Sequence, residues 1–130
     1  MLLDWSQVMN SELRDLLMNA YTPHDDLKFA CIVRMDDGTI FKGVSVKNSV
    51  FRDGIYAEQI AIASAITAGY KKGDFESLYL MVSSNSIKDL KYLNRDTIVE
   101  FFDPSDRVIL LTFDGTKRVL KVGNLFNNIY

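Results

Sequence analysis

The length, composition and charge of the chain indicate one ordinary globular domain. It has 130 residues, of which 48% are hydrophobic and 25% charged, enough for a single core and too few for two. Fifteen basic and 17 acidic residues leave a net charge of −2, with no basic stripe, which argues against nucleic-acid binding. No apolar run approaches the ~20 residues of a membrane span. We therefore expect a single domain over residues 1–130 that contacts neither nucleic acid nor membrane.

Cysteine content and the first residues of the chain bear on its compartment. Cys31 is the one cysteine, so no internal disulfide can form, which fits a reducing compartment. The opening MLLDWSQ carries Asp4 and lacks the basic residues of a secretory signal. We therefore expect a cytoplasmic protein. Cys31 lies in an apolar run and is expected in the core, whereas His24, in a polar run, is expected to be exposed.

The first half of the chain predicts a helix, a hairpin and a second helix. Apolar residues at three- and four-residue spacings predict a helix over residues 4–21. A nearly continuous apolar run predicts a strand over 27–35 that is buried on both faces. An Asp-Gly turn joins it to a strand over 40–46. After a loop over 47–54, an Ala-rich segment predicts a buried helix over 56–68.

The second half predicts three strands and two helices. Strands are expected over 75–82, 108–113 and 118–121, and a helix over 93–102 that stops before Pro104. A short helix is expected at the C-terminus. This order predicts an α/β fold, a three-layer α/β/α sandwich with a mixed five-stranded sheet. Buried parallel strands would account for the continuously apolar runs.

Short motifs occur in a fixed order along the whole chain. They are Tyr21-Thr22-Pro23, Asp37-Gly38 with Gly43 to Asn48, Tyr56-Ala57-Glu58, Arg95 with Glu100-Phe101, and Asp114-Gly115 with Val122-Gly123. In this order and at these separations they resemble the cytidine deaminase family. The resemblance implies the three-layer fold, descent from a zinc-dependent deaminase, and assembly as a homotetramer or at least a dimer.

The departures from the family pattern fall where the resemblance places zinc. Tyr56 replaces the first cysteine ligand. The other two positions are Lys91 and Asn94, counting back from Arg95, or Asp89 and Tyr92, counting forward from Glu58. Neither alternative supplies the thiolates and imidazoles that zinc prefers in such sites. We therefore expect no zinc and no other cofactor.

The resemblance also identifies two ribose-binding positions and one proton carrier. Ser45 and Lys47 stand where the family has an asparagine and a glutamate that bind ribose, so an ammonium replaces a carboxylate. Glu58 stands at the position of the general acid/base. Without a metal, water keeps a pKa of about 15.7 rather than about 7, which leaves Glu58 no hydroxide. Glu58 is then either a retained catalytic base or a carboxylate favoured by the first turn of a helix.

One of the altered positions admits two interpretations. Lys91 either replaces the charge of the metal by pairing with Glu58 or is a solvated loop lysine. Tyr56 is expected to fill space at the former ligand position.

These observations predict a degenerate cytidine deaminase homologue that is metal-free and lacks cytidine deaminase activity. It would act as a binding or structural protein for a nucleoside-like molecule or an active paralogue. The alternative is an active nucleoside deaminase or hydrolase with a site rebuilt around Glu58, Tyr56 and Lys91. Phe126 and Tyr130 are expected to pack between subunits.

Overall fold

The computed structural model describes residues 5–23, 27–47 and 54–126 of the chain, excluding the side chains of residues 5–7. The helices are α1 (Trp5–Leu17), α2 (Ala57–Thr67) and α3 (Arg95–Phe101), with 3-10 turns at Ile87–Tyr92 and Val122–Asn124. The strands are β1 (Phe29–Met35), β2 (Ile40–Val44), β3 (Phe75–Val82), β4 (Arg107–Leu111) and β5 (Lys117–Lys121).

The strands form one five-stranded sheet in the order β2-β1-β3-β4-β5. Only the β3–β4 pair is parallel among the pairings of the described strands. The predicted mixed five-stranded sheet between helices is confirmed. The explanation of the apolar runs by parallel pairing is wrong for β1, which is antiparallel to both neighbours. Its residues are apolar because helices cover both faces of the sheet.

One face of the sheet is covered by α1. Met9, Leu13 and Leu17 are buried at four-residue intervals along the helix, the spacing that aligns side chains on one helical face. They pack against alternate residues of β1, Ala30 and Ile32, in one apolar cluster with the facing residues of β3 and β4.

The opposite face is covered by α2 and α3. Ala57, Ala61 and Ala65 are completely buried, and they pack in the apolar cluster that contains Cys31 and Val33 of β1. The small alanine side chains let α2 approach the sheet closely. At Gly43 of β2, an added Cβ would overlap the Ala57 carbonyl oxygen and lie 2.6 Å from the Ala61 nitrogen. This close approach holds the start of α2 over the sheet.

The helix predicted over 4–21 ends at Leu17, and Tyr21 instead forms a β-bridge with Val46. Other differences from the predicted elements lie around α3 and the chain end. The helix expected over 93–102 begins at Arg95 and follows a separate 3-10 turn, because Asn94 adopts extended backbone angles and caps α3. Near the C-terminus the structure describes a 3-10 turn at Val122–Asn124. His24, Tyr130 and most of the predicted loop, residues 48–53, lie outside the described residues. None of the described helices is long and apolar enough to cross a membrane.

Candidate functional site

A cavity of about 240 Å³ lies where β1 begins, β2 ends and α2 begins. Its lining contains four of the six predicted site residues: Ser45, Lys47, Tyr56 and Glu58. The remaining lining residues are Leu27, Phe29, Ile55, Ala57 and Tyr92. Four separate segments of the fold therefore bring a carboxylate, an ammonium, a hydroxyl and aromatic rings to one small space.

Glu58 is the acid of this cavity. It lies in the first turn of α2 and is only 1% exposed. The Asn94 backbone N–H donates a hydrogen bond of 2.6 Å to its carboxylate Oε2. Burial raises the pKa of Glu58 above its ordinary value, and this hydrogen bond opposes part of the rise. Within residues 5–23, 27–47 and 54–126, no basic side chain forms an ion pair with the carboxylate.

Asn94 performs two tasks at once. Its backbone N–H holds Glu58, and its side-chain oxygen accepts a hydrogen bond of 3.1 Å from the Thr97 N–H. The second bond caps α3, as asparagine commonly does at helix starts. The residue that the resemblance aligns with a zinc ligand is thus occupied in joining α3 to α2.

Lys91 lies away from Glu58. Its side chain is exposed, and its Nζ lies 5.1 Å from the centroid of the Tyr92 ring. Of the two interpretations offered for Lys91, the structure shows the solvated lysine. The alternative, an ion pair between Lys91 and Glu58, is wrong. The physical reason is that the Asn94 N–H already bonds the carboxylate, and burying an ammonium there would cost its hydration.

The two ways of counting the loop each place one residue at the site. Asn94, from the backward count, contacts Glu58, and Tyr92, from the forward count, lines the cavity. Asp89 instead accepts a hydrogen bond of 2.6 Å from the Ser84 hydroxyl. The sequence analysis named Tyr92 only as an alternative ligand position. It did not predict that the Tyr92 ring lines the cavity. Its place two residues before the helix cap is the signal that could have identified it.

Ser45, Lys47 and Tyr56 line the cavity and differ in their burial and hydrogen bonds. Ser45 is buried, and its hydroxyl accepts a hydrogen bond of 3.0 Å from the Phe29 N–H. Lys47 is half-buried. Tyr56 precedes α2, and its N–H donates to the side-chain oxygen of Gln59 at 3.0 Å. Ser45 and Tyr56 therefore help to fix the strand and helix ends that frame the cavity.

Cys31 is a core residue, as predicted. It is completely buried in β1. Burial, with a smaller contribution from the negative charge of Glu58, raises the pKa of its thiol well above the ordinary value. A thiol in this state is a poor metal ligand, because ligation requires the thiolate.

The donor set at the site does not fit zinc. A zinc site of this kind needs three cysteine or histidine ligands around an open position. No three His, Cys, Asp or Glu side chains come together in the part of the chain that the structure describes. Tyr56, Lys91 and Asn94 offer a phenol, an exposed ammonium and an amide that is already bonded. The absence of zinc itself stays a prediction.

Comparisons with known proteins show similarity to cytidine deaminases. No protein-family model matches the chain. It is 28% identical over 117 residues to a curated relative, cytidine deaminase from Mycoplasma genitalium, with 90% of this chain and 88% of the relative covered.

Solved structures show the same likeness. Cytidine deaminase from Burkholderia pseudomallei superposes with a TM-score of 0.82 at 23% identity, covering 95% of this chain and 98% of that one. Cytidine deaminase from Mycobacterium leprae gives a TM-score of 0.72 at 17% identity, covering 97% and 99% of the two chains. The likeness to these structures extends over the whole fold.

Proposed function

Because the chain is a homologue of the cytidine deaminases with their fold, we propose that it is a metal-free binding protein. In this proposal it holds a small nucleoside-like molecule and does not deaminate cytidine. The observation that carries the proposal is the environment of Glu58: a buried carboxylate bonded by the Asn94 N–H, beside a donor set that does not fit zinc.

The altered zinc-ligand positions support the proposed absence of deaminase activity. Zinc-dependent deamination of cytosine uses a metal-bound hydroxide as the nucleophile. A glutamate acts as the general acid and base that moves the protons of this reaction. Glu58 retains the position of that glutamate, but its carboxylate is bonded by a backbone N–H. Without a cation to acidify water, the carboxylate has no nucleophile to activate.

The cavity supports retained binding. Apolar and aromatic side chains with a few polar groups line it, which is the usual composition of small-molecule sites. Phe29, Tyr56 and Tyr92 contribute aromatic rings to the lining. Such rings can stack on a planar base, whichever base it is. Glu58 and Ser45 supply polar groups to the same lining.

A second candidate function is a hydrolase with a site rebuilt around Glu58, with Tyr56 in the same cavity. One observation favours it. The pKa of Glu58 is raised by burial, and a carboxyl group whose pKa moves toward the working pH is a better general acid or base. This candidate predicts hydrolytic turnover that depends on Glu58.

The two functions are separated by three measurements on the purified full-length protein. Elemental analysis reports zinc per chain, ultraviolet absorbance reports conversion of cytidine to uridine, and calorimetry reports cytidine binding. We expect binding without stoichiometric zinc and without turnover. About one zinc per chain, or uridine formation that Glu58→Gln abolishes, would favour the enzyme. Absence of cytidine binding would remove the binding function.

We also propose that the protein is a cytoplasmic homo-oligomer. Phe126 is 65% exposed, Tyr92 51% and Ile66 40%. Ala63 and Ala68 of the α2 region are exposed as well, so α2 has more apolar surface than the sheet covers. Exposed apolar surface commonly marks an interface, and closed symmetric assembly is the usual way of covering it.

A further inference from the structure

The cavity contains a positive charge as well as a buried acid. Among the described residues that line it, Lys47 and Glu58 carry the charged groups. We infer that the cavity takes a nucleoside monophosphate in preference to an uncharged nucleoside, with the Lys47 ammonium binding the phosphate. This inference rests on the proposed binding function and specifies its ligand class.

The position of Lys47 is fixed by its neighbours. Its backbone N–H donates a hydrogen bond of 2.7 Å to the Tyr21 carbonyl oxygen. The preceding residue, Val46, exchanges two backbone hydrogen bonds with Ile55, of 3.1 and 2.7 Å. These bonds tie the segment carrying Lys47 to the segment that leads into α2.

The stem of the Lys47 side chain is also confined. A Cβ added to Gly54 would overlap Lys47 Cγ and lie 2.9 Å from the Val46 carbonyl oxygen. The absence of a side chain at residue 54 therefore makes room for the lysine stem against the cavity wall. A lysine held in this way loses less conformational freedom on binding a ligand than a solvated one.

The balance of charge in the cavity favours an anion. Burial raises the pKa of Glu58, because the charged form of the carboxyl group is disfavoured away from water. A phosphate would form charge-assisted hydrogen bonds with Lys47, which the hydroxyl of an uncharged nucleoside forms only weakly.

The other lining residues indicate that the ligand has an apolar part in addition to its anionic group. Phe29, Tyr56 and Tyr92 present aromatic and apolar surface in the same cavity, which inorganic phosphate cannot use. The volume of about 240 Å³ limits the ligand to a small molecule. The matching ligand therefore combines an aromatic base with one phosphate.

Calorimetry of the full-length protein tests this assignment with three probes: cytidine, cytidine 5′-monophosphate and inorganic phosphate. At low ionic strength we expect the monophosphate to bind about tenfold or more tightly than cytidine, the size expected for a hydrogen bond to a charged group. Lys47→Met should abolish the difference. Lys72→Met, which changes an exposed lysine that does not line the cavity, should preserve it, as should Lys47→Arg.

Each other outcome overturns a stated part of the inference. Equal affinity for cytidine and its monophosphate would overturn the phosphate assignment and leave the proposed binding function intact. A preference that survives Lys47→Met would overturn the role of Lys47. Phosphate binding as tightly as the monophosphate would show that the base contributes nothing, against the inference. Failure of both cytidine and the monophosphate to bind would overturn the binding function as well.

The salt dependence of binding gives a test that needs no variant. If Lys47→Met does not fold, as judged by circular dichroism, wild-type protein is titrated at increasing sodium chloride. We expect salt to weaken binding of the monophosphate and to leave binding of cytidine nearly unchanged, because screening acts on charge pairs. Equal salt dependence for the two ligands would overturn the inference.

Discussion

The backbone N–H of Asn94 lies 2.6 Å from carboxylate Oε2 of Glu58, although 36 positions separate the two residues along the chain. The bond connects the start of α3 to the first turn of α2. A buried carboxylate needs hydrogen-bond partners to stay ionised, and here a backbone group supplies one. The same residue caps α3 through its side chain, so the environment of the acid depends on the local conformation at Asn94.

Replacing Glu58 by glutamine should change how stability depends on pH. Burial raises the pKa of Glu58 in the folded state above its value of 4.5 in the unfolded chain. The folded state therefore binds more protons than the unfolded state between these two pKa values, and stability falls as pH rises through that window. Glu58→Gln cannot ionise but can still accept the bond from Asn94, so it should lack this fall. Urea unfolding from pH 4 to 8 measures the difference, and parallel curves for the two proteins would contradict the prediction.

Replacing Gly43 by alanine should destabilise the fold. The added Cβ would overlap the Ala57 carbonyl oxygen and lie 2.6 Å from the Ala61 nitrogen, both backbone atoms that move only if α2 moves. Overpacking of this kind costs about 1–3 kcal/mol in the free energy of unfolding. Gly123→Ala is the matched control, since its Cβ would meet Pro104 at 3.2 Å, a contact that small shifts can relieve. Chemical denaturation should show the larger loss for Gly43→Ala; equal losses would count against the close approach of α2.

Removing the side-chain cap at Asn94 should weaken α3. Asn94→Ala deletes the oxygen that accepts the Thr97 N–H, a loss that costs about 0.5–2 kcal/mol at helix starts. Asn94→Ser keeps a capping oxygen and should retain most of the stability. The backbone N–H that bonds Glu58 remains in both variants, so ligand affinity should fall less than stability does. Thermal unfolding and calorimetry measured on the same samples compare the two effects.

Cys31 should be unreactive in the folded protein. Its side chain is completely buried, and burial raises the pKa of its thiol, so the thiolate that reacts with disulfide reagents is scarce. An aromatic disulfide reagent should label about one thiol per chain in urea and almost none under native conditions. Rapid labelling of the native protein would show that the apolar layer between β1 and α2 opens easily.

The protein should remain an oligomer without added metal. The exposed Phe126 and the uncovered part of α2 are apolar, so contacts made through them would depend on packing rather than on a bound ion. We expect light scattering at micromolar concentration to give the mass of a tetramer, or at least a dimer, and Phe126→Ser to lower it. A monomer mass for the unmodified protein would contradict the proposed assembly.

Local patterns in the sequence predict the elements of this fold well and their contacts poorly. The strand predicted over 75–82 is observed as Phe75–Val82, because its apolar run is bounded by a glycine turn and by serines. The helix predicted over 56–68 is observed as Ala57–Thr67. Hydrophobic periodicity is a property of neighbouring residues, so both elements follow from it.

The contacts of the site could not be obtained in the same way. The positions aligned with the zinc ligands follow from counting along a loop, and the two counts differ by two residues. The structure places Asn94 from one count and Tyr92 from the other at the cavity, because a 3-10 turn ends between them and an extended residue follows it. The backbone hydrogen bond to Glu58 has no side-chain signal at all, since any residue except proline could donate it.

The close contact at Gly43 connects the edge strand of the sheet to the part of α2 that lines the cavity. β2 is an edge strand, and no space separates its backbone from the turn of α2 that carries Ala57 and Glu58. A sideways displacement of this strand cannot be absorbed by rearranging side chains, because backbone meets backbone there. The position of the turn that carries Glu58 is therefore tied to the path of an outer strand.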